Sequence, residues 1–201
     1  MDIRGILRSP GIYIAFQKLV GGRYSRNFCL ELLSPKPSER ILDIGCGPAH
    51  YLKRMPAVRY LGFDTDQDYI QYAKSKFGER GTFFCEEFST ERAQQYGPFD
   101  GVLLMGLLHH IDDEACNQLF LQISPLLSQT GRIVTLDTTL YRGQNWIETF
   151  LASRDRGDYV RSPQAFLHLA EQTFETVEGR LLTPKWGPSI YWQMLLQRPR
   201  L

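Results

Sequence analysis

The 201-residue chain is short of cysteine, has no long apolar run and carries no excess of charge of either sign. Its four cysteines, Cys29, Cys46, Cys85 and Cys116, are scattered, with no C-x-x-C pair. That argues against a thiolate metal site and against a disulfide framework, so reduced thiols, no metal and a cytoplasmic location are expected. No stretch approaches the ~20 apolar residues of a membrane-spanning helix. Arg4 and Arg8 precede no sustained apolar segment, so no signal peptide is expected. With 23 basic against 22 acidic residues there is no net field to draw nucleic acid or a membrane surface, and neither is expected as a partner. Repeats and low-complexity segments are absent. The length fits one domain with its own core, as a monomer or a homodimer.

Strand and helix signals then alternate. Gly11 to Val20 carries a helical apolar stripe and Gly21-Gly22 interrupts it. A second helix is expected over about Tyr24 to Leu33, stopped by Ser34-Pro35-Lys36-Pro37. These two helices either pack over the mouth of a ligand-binding sheet or merely cover its edge. Strands are expected from Ile41, at Val58–Phe63, at Gly81–Cys85, at Phe99–Met105 and at Arg132–Asp137. Between them, helices are expected at Ala49 to about Met55, from Asp66 or Gln67 to Phe77, from Ser89 to the Gly97-Pro98 break, and from Asp112 to about Leu127. Phe99 to Met105 is nearly all apolar, as in a strand buried on both faces. Five rounds of alternation predict an α/β fold, doubly wound, with a parallel sheet and helices on both faces. A helix near Asn145–Ser153, another from Ser162-Pro163 and two late strands, Phe174–Leu182 and Ile190–Leu196, follow; the strands form an antiparallel hairpin completing the sheet.

The densest chemistry lies in Ile41-Leu42-Asp43-Ile44-Gly45-Cys46-Gly47-Pro48-Ala49. An apolar strand ends in an acid, and two glycines then form a turn against which a ligand can press. The third glycine of a dinucleotide fingerprint is missing, because His50 stands there. Asp43, two residues before Gly45, suits a cationic or amino-bearing ligand better than a pyrophosphate. Asp64, at the end of the second strand, can accept hydrogen bonds from both ribose hydroxyls, with Thr65 beside it. Glu87, or alternatively Glu86, can take an adenine amino hydrogen while Phe88 packs on the ring. Cys46 is a small turn residue or, as the other reading, a nucleophile. Together these point to S-adenosylmethionine.

Ile41–Ala49, Leu61–Asp64 and Phe99–His110 resemble the successive motifs of class I S-adenosylmethionine-dependent methyltransferases. Leu108-His109-His110 resembles the branch with ubiquinone/menaquinone-type and small-metabolite enzymes. The resemblance implies a Rossmann-like, mostly parallel seven-stranded sheet with an antiparallel last strand. It implies Gly45 and Gly47 facing the methionine part of the cofactor, Asp64 the ribose, and Met105 and Gly106 offering backbone to the amino group. The family's third glycine is replaced by Ala49. A single methyltransferase domain is expected: an N-terminal helical cap at 1–37, a cofactor-binding core at 38–137, a substrate lid at 138–161, and a helix and hairpin at 162–201.

Transfer from an activated sulfonium needs chiefly alignment, helped by a base if the acceptor is a hydroxyl. His109 and His110 are the candidates for that base or for orienting the acceptor; the other reading is that they hold the loop. Asp137 and Tyr141 border the expected acceptor space, with Tyr13 opposite. Arg142, Arg154, Arg156 and Arg161 either meet an anionic acceptor or form a solvated face paired with nearby acids. The acceptor expected is a small molecule: a metabolite, natural product or sugar-containing intermediate. RNA or protein methylation, or a module that binds the cofactor without turnover, are the alternatives.

Overall fold

The computed structural model describes residues 22–144, 146, 149, 157–183 and 190–200. The expected helix at 11–20, Tyr13, Arg154, Arg156 and most of the expected helix at 145–153 lie outside the described residues.

Seven strands form one sheet: β1 Arg40–Ile44, β2 Arg59–Asp64, β3 Gly81–Cys85, β4 Phe99–Met105, β5 Leu127–Thr138, β6 Phe174–Leu182 and β7 Tyr191–Pro199. Their order is β3-β2-β1-β4-β5-β7-β6. The first five run parallel, and β7 lies antiparallel between β5 and β6. The expected hairpin therefore inserts its second strand against the parallel block. Strand order reverses between β1 and β4, so their carboxyl ends open a crevice where such sheets bind ligands.

Among the described residues five α-helices flank the sheet: α1 Gly22–Leu33, α2 Gln67–Phe77, α3 Thr90–Gln94, α4 Asp113–Ile123 and α5 Pro163–Glu171. Each of the last four starts on a side-chain or proline signal visible in the sequence. The Asp66, Ser89, Asp112 and Ser162 side chains accept hydrogen bonds from backbone amides of the first turn. One apolar layer joins Leu33, Ile41, Tyr60, Ile70 and Leu103 beneath α1 and α2. The other joins Leu42, Phe63, Val102, Phe120, Phe166 and Met194 beneath α3, α4 and α5. Alternate residues of β1 and β4 feed opposite layers, which is why those strands read as continuous apolar runs.

Three boundaries differ from expectation. Residues 50–54 form a 3-10 turn, not an α-helix; Ala49 enters it at φ 54°, and Pro56 follows closely. The helix after β4 ends at Ile123, and a 3-10 turn over Ser124–Leu126 replaces its last turn because Pro125 has no amide proton to continue the ladder. β5 begins at Leu127 and passes through Gly131, where a Cβ would lie 2.9 Å from the Phe99 and Ser128 carbonyl oxygens. That glycine serves close backbone approach rather than a chain reversal.

Candidate active site

β1 ends in a turn held against β2. The amides of Gly45 and Cys46 both donate to the Phe63 carbonyl at 2.9 Å. Gly45 and Gly47 have φ of 72° and 52°, which glycine adopts without strain. Asp64 latches the turn from the neighbouring strand: its Oδ2 accepts from the Gly47 amide at 2.7 Å and its Oδ1 from the Asp66 amide at 2.9 Å. Two bonds use about half the acceptor capacity of a carboxylate. Burial pushes the Asp64 carboxyl above its ordinary value, against the pull of those amides.

Asp43 is 1% exposed. Its Oδ2 accepts from the Tyr60 hydroxyl at 2.5 Å, while Oδ1 is buried without a partner. Burial lifts its carboxyl to about 7, opposed by the Tyr60 bond and reinforced by the charge of Asp64. Tyr60 went unnoticed in the sequence. The signal available was an acid inside an apolar strand, which needs a buried donor on a neighbour. Cys46 is 6% exposed, and burial raises its thiol well above the ordinary value, which favours the turn-residue reading over the nucleophile reading.

The loop after β4 faces this turn. A Cβ on Gly45 would lie 3.6 Å from Leu107. Gly106 takes φ 72°, and its amide donates to the Leu136 carbonyl of β5 at 2.7 Å. His109 is 5% exposed. Asp137 Oδ1 lies 2.9 Å from His109 Nδ1 and accepts from the His109 amide at 3.2 Å. His110 is exposed, with its ring centroid 4.2 Å from that of His109. The pair is thus divided: His109 is held within the fold, and His110 stands at the surface beside it.

The segment over residues 159–161 locks this loop. The Tyr159 amide donates to the His109 carbonyl at 3.0 Å. Arg161, 8% exposed, donates to the Leu108 carbonyl at 2.6 Å, the Ile111 carbonyl at 2.7 Å and Asp113 at 2.7 Å. Neither reading holds for Arg161: it is buried rather than on a solvated face, and its donors are committed to the loop rather than free for an anionic acceptor. Arg142 is exposed, and Tyr141 is half-buried with its amide on Gln144.

At the end of β3, Glu86 is ion-paired with Arg92, which leaves Glu87 as the uncommitted acid. Phe88 packs edge-on against Phe63 at 5.6 Å. Thr65 is exposed, with its carbonyl 3.8 Å from the Cys85 thiol. Gly45, Gly47 and Asp64 follow or end β1 and β2, while Met105, Gly106, His109 and Asp137 follow or end β4 and β5. These groups therefore gather along one edge of the sheet.

Residues 41–131 match the family described as methyltransferase domain. Over that stretch, which is under half of its length, the chain is similar to methyltransferase domains. The fold agrees: the structure of human N-acetylserotonin methyltransferase in complex with S-adenosylmethionine superposes with a TM-score of 0.65 at 19% identity, over 97% of this chain and 58% of that one. The N-methyltransferase NodS of Bradyrhizobium japonicum gives 0.66 at 15% identity, over 89% and 97%. A probable tRNA methyltransferase 9B of Bos taurus is 33% identical over 79 residues, 39% of this chain and 17% of that protein. The chain thus spans a small part of its curated relative and little more than half of the human enzyme.

The residues of the methyltransferase domain fit the cofactor of this class on their own evidence. Two glycines at positive φ leave the turn open on its outer side, Asp64 retains acceptor capacity, and Asp43 keeps an unpartnered oxygen two residues before Gly45. Among the described residues no helix is long and apolar enough to cross a membrane, and no cluster of His, Cys, Asp and Glu could hold a metal.

Proposed function

We propose that the domain transfers a methyl group from S-adenosylmethionine to a small-molecule acceptor. The observation that supports it most is the meeting, along one sheet edge, of the Asp64-latched glycine turn and the His109–Asp137 loop. Gly45 and Gly47 would seat the methionine part, Asp64 the ribose, Glu87 and Phe88 the adenine, and the Met105–Gly106 backbone the amino group. When bound, the cofactor supplies a methyl carbon activated by its positively charged sulfur. The acceptor's lone pair forms the new bond as the carbon–sulfur bond breaks.

The chain's own residues then have two tasks. Asp137 fixes the His109 ring and with it the Gly106–His110 loop, so that the acceptor side is pre-formed. His110, exposed next to it, takes the proton of a hydroxyl acceptor near neutral pH. A cytoplasmic protein, monomeric or homodimeric, suits this chemistry.

A second reading, methylation of RNA, draws on the partial likeness to the tRNA methyltransferase. Incubation with methyl-labelled S-adenosylmethionine and fractionated cell extract separates the two. Label in the small-molecule fraction, reduced in His110→Ala, supports the proposal. Label in RNA alone would replace it with the second reading.

A further inference from the structure

The opposite end of the sheet carries a feature that methyl transfer does not use. Arg40 opens β1 and Arg59 opens β2, and the two are paired directly across the parallel ladder. Arg80 immediately precedes Gly81, the partner of Tyr60 on the other side. Three arginines therefore stand in one row at the amino-terminal ends of adjacent strands, which lie about 4.8 Å apart. Like charges side by side across a sheet are unfavourable without an anion between them.

None of the three makes an ion pair among the described residues. The nearby acids are committed elsewhere. Glu39 pairs with Arg132. Asp100 accepts from the Arg40 amide and the Ser128 hydroxyl. Two of the guanidinium groups are anchored by neutral carbonyls, which fix them without cancelling charge. Arg40 donates to the Gly97 carbonyl at 2.9 Å, and Arg80 to those of Met55 and Pro56 at 2.9 Å. Each keeps further donors, and Arg59 is exposed with all of its own.

These arginines line a cavity of about 480 Å³, together with Thr82, Gln95 and Tyr96; Glu79 is the one acid in its lining. That volume falls within the range of small-ligand sites. Tyr96, 37% exposed, offers an aromatic surface at the wall. The forked donors of arginine match the oxygens of a phosphoryl group. We infer that this cavity binds a phosphate-bearing ligand of mononucleotide size, at the pole of the sheet away from the glycine turn. The phosphate can belong to a free nucleotide or to the end of an RNA strand.

The test is calorimetric titration of the full chain with AMP, pyrophosphate and a short single-stranded RNA, each repeated with Arg59→Glu. Arg59 is exposed and supports no packing, so its replacement leaves the fold and S-adenosylmethionine binding intact. The expected result is saturable binding of AMP or pyrophosphate that Arg59→Glu weakens by about tenfold or more. Tighter binding of the 5′-phosphorylated RNA than of AMP assigns the phosphate to a polymer; the reverse assigns it to a free nucleotide. Absence of binding by all three probes, or affinities unchanged in Arg59→Glu, would overturn the inference. S-adenosylmethionine titrated into the same samples reports on the other pole, so the two sites fail separately.

Discussion

Asp137 holds His109 twice, through the backbone amide at 3.2 Å and the ring Nδ1 at 2.9 Å, with one oxygen serving both. The carboxylate is 1% exposed, and its other oxygen has no partner. A buried acid committed to one loop in this way acts on geometry rather than on solvent-facing chemistry. Asp137→Asn removes the charge and offers an amide where the loop needs an acceptor. Urea unfolding should show a loss of about 1–3 kcal/mol. Unchanged stability would mean that the loop is held elsewhere.

Gly157 lies against the other side of His109. A Cβ there would sit 2.2 Å from the ring Cδ2 and 2.3 Å from the His109 carbonyl oxygen. Because one of those atoms is backbone, a rotamer change cannot relieve the overlap. Gly157→Ala should displace the His109 loop and lower methyl-transfer turnover relative to the wild type. Paired turnover measurements check this. Equal activities would show that the 157–161 segment does not set the loop.

Asp43 predicts a pH dependence. Its carboxyl is lifted from 3.8 to about 7 in the fold. Between those values the folded protein keeps a proton that the unfolded chain has lost. The stability it contributes is full below about 4 and disappears as pH rises through about 7, with a slope of at most ~1.4 kcal/mol per pH unit. Asp43→Asn cannot ionise. The difference between wild-type and Asp43→Asn unfolding free energies should therefore shift against the wild type from pH 4 to 7 and level off above. Parallel curves would contradict the burial-driven shift.

The thiols give a simple check on burial. Cys29, Cys46 and Cys116 are buried, and Cys85 is exposed. Burial pushes the Cys29 and Cys116 thiols up to about 12. A thiol reagent at neutral pH should label Cys85 quickly in the native protein and the other three only on unfolding. Rapid labelling of Cys46 would restore it as a reactive group.

What the sequence revealed and concealed follows from how local each signal is. The five parallel strands and the helix starts at Asp66, Ser89, Asp112 and Ser162 were legible because apolar periodicity and capping are properties of neighbours in the chain. Asp64 was legible as the acid at the end of the second strand, but not as the latch on Gly47, seventeen positions away. Arg161 stood in an arginine-rich stretch, and its burial against Leu108, Ile111 and Asp113 depends on contacts about fifty residues distant. Gly131 carries no local mark of the neighbouring carbonyls that exclude a side chain there. The row of arginines at 40, 59 and 80 appears only once β1, β2 and β3 are placed in register.

The Asp64-latched glycine turn is proposed to seat a methyl donor. Calorimetry with S-adenosylmethionine on the wild type and on Asp64→Ala tests it most directly. The wild type should show one saturable site and the variant an affinity weakened by at least about tenfold, since the acceptor proposed for the ribose and the latch on Gly47 are lost together. No binding by the wild type, or equal binding by the variant, would contradict it.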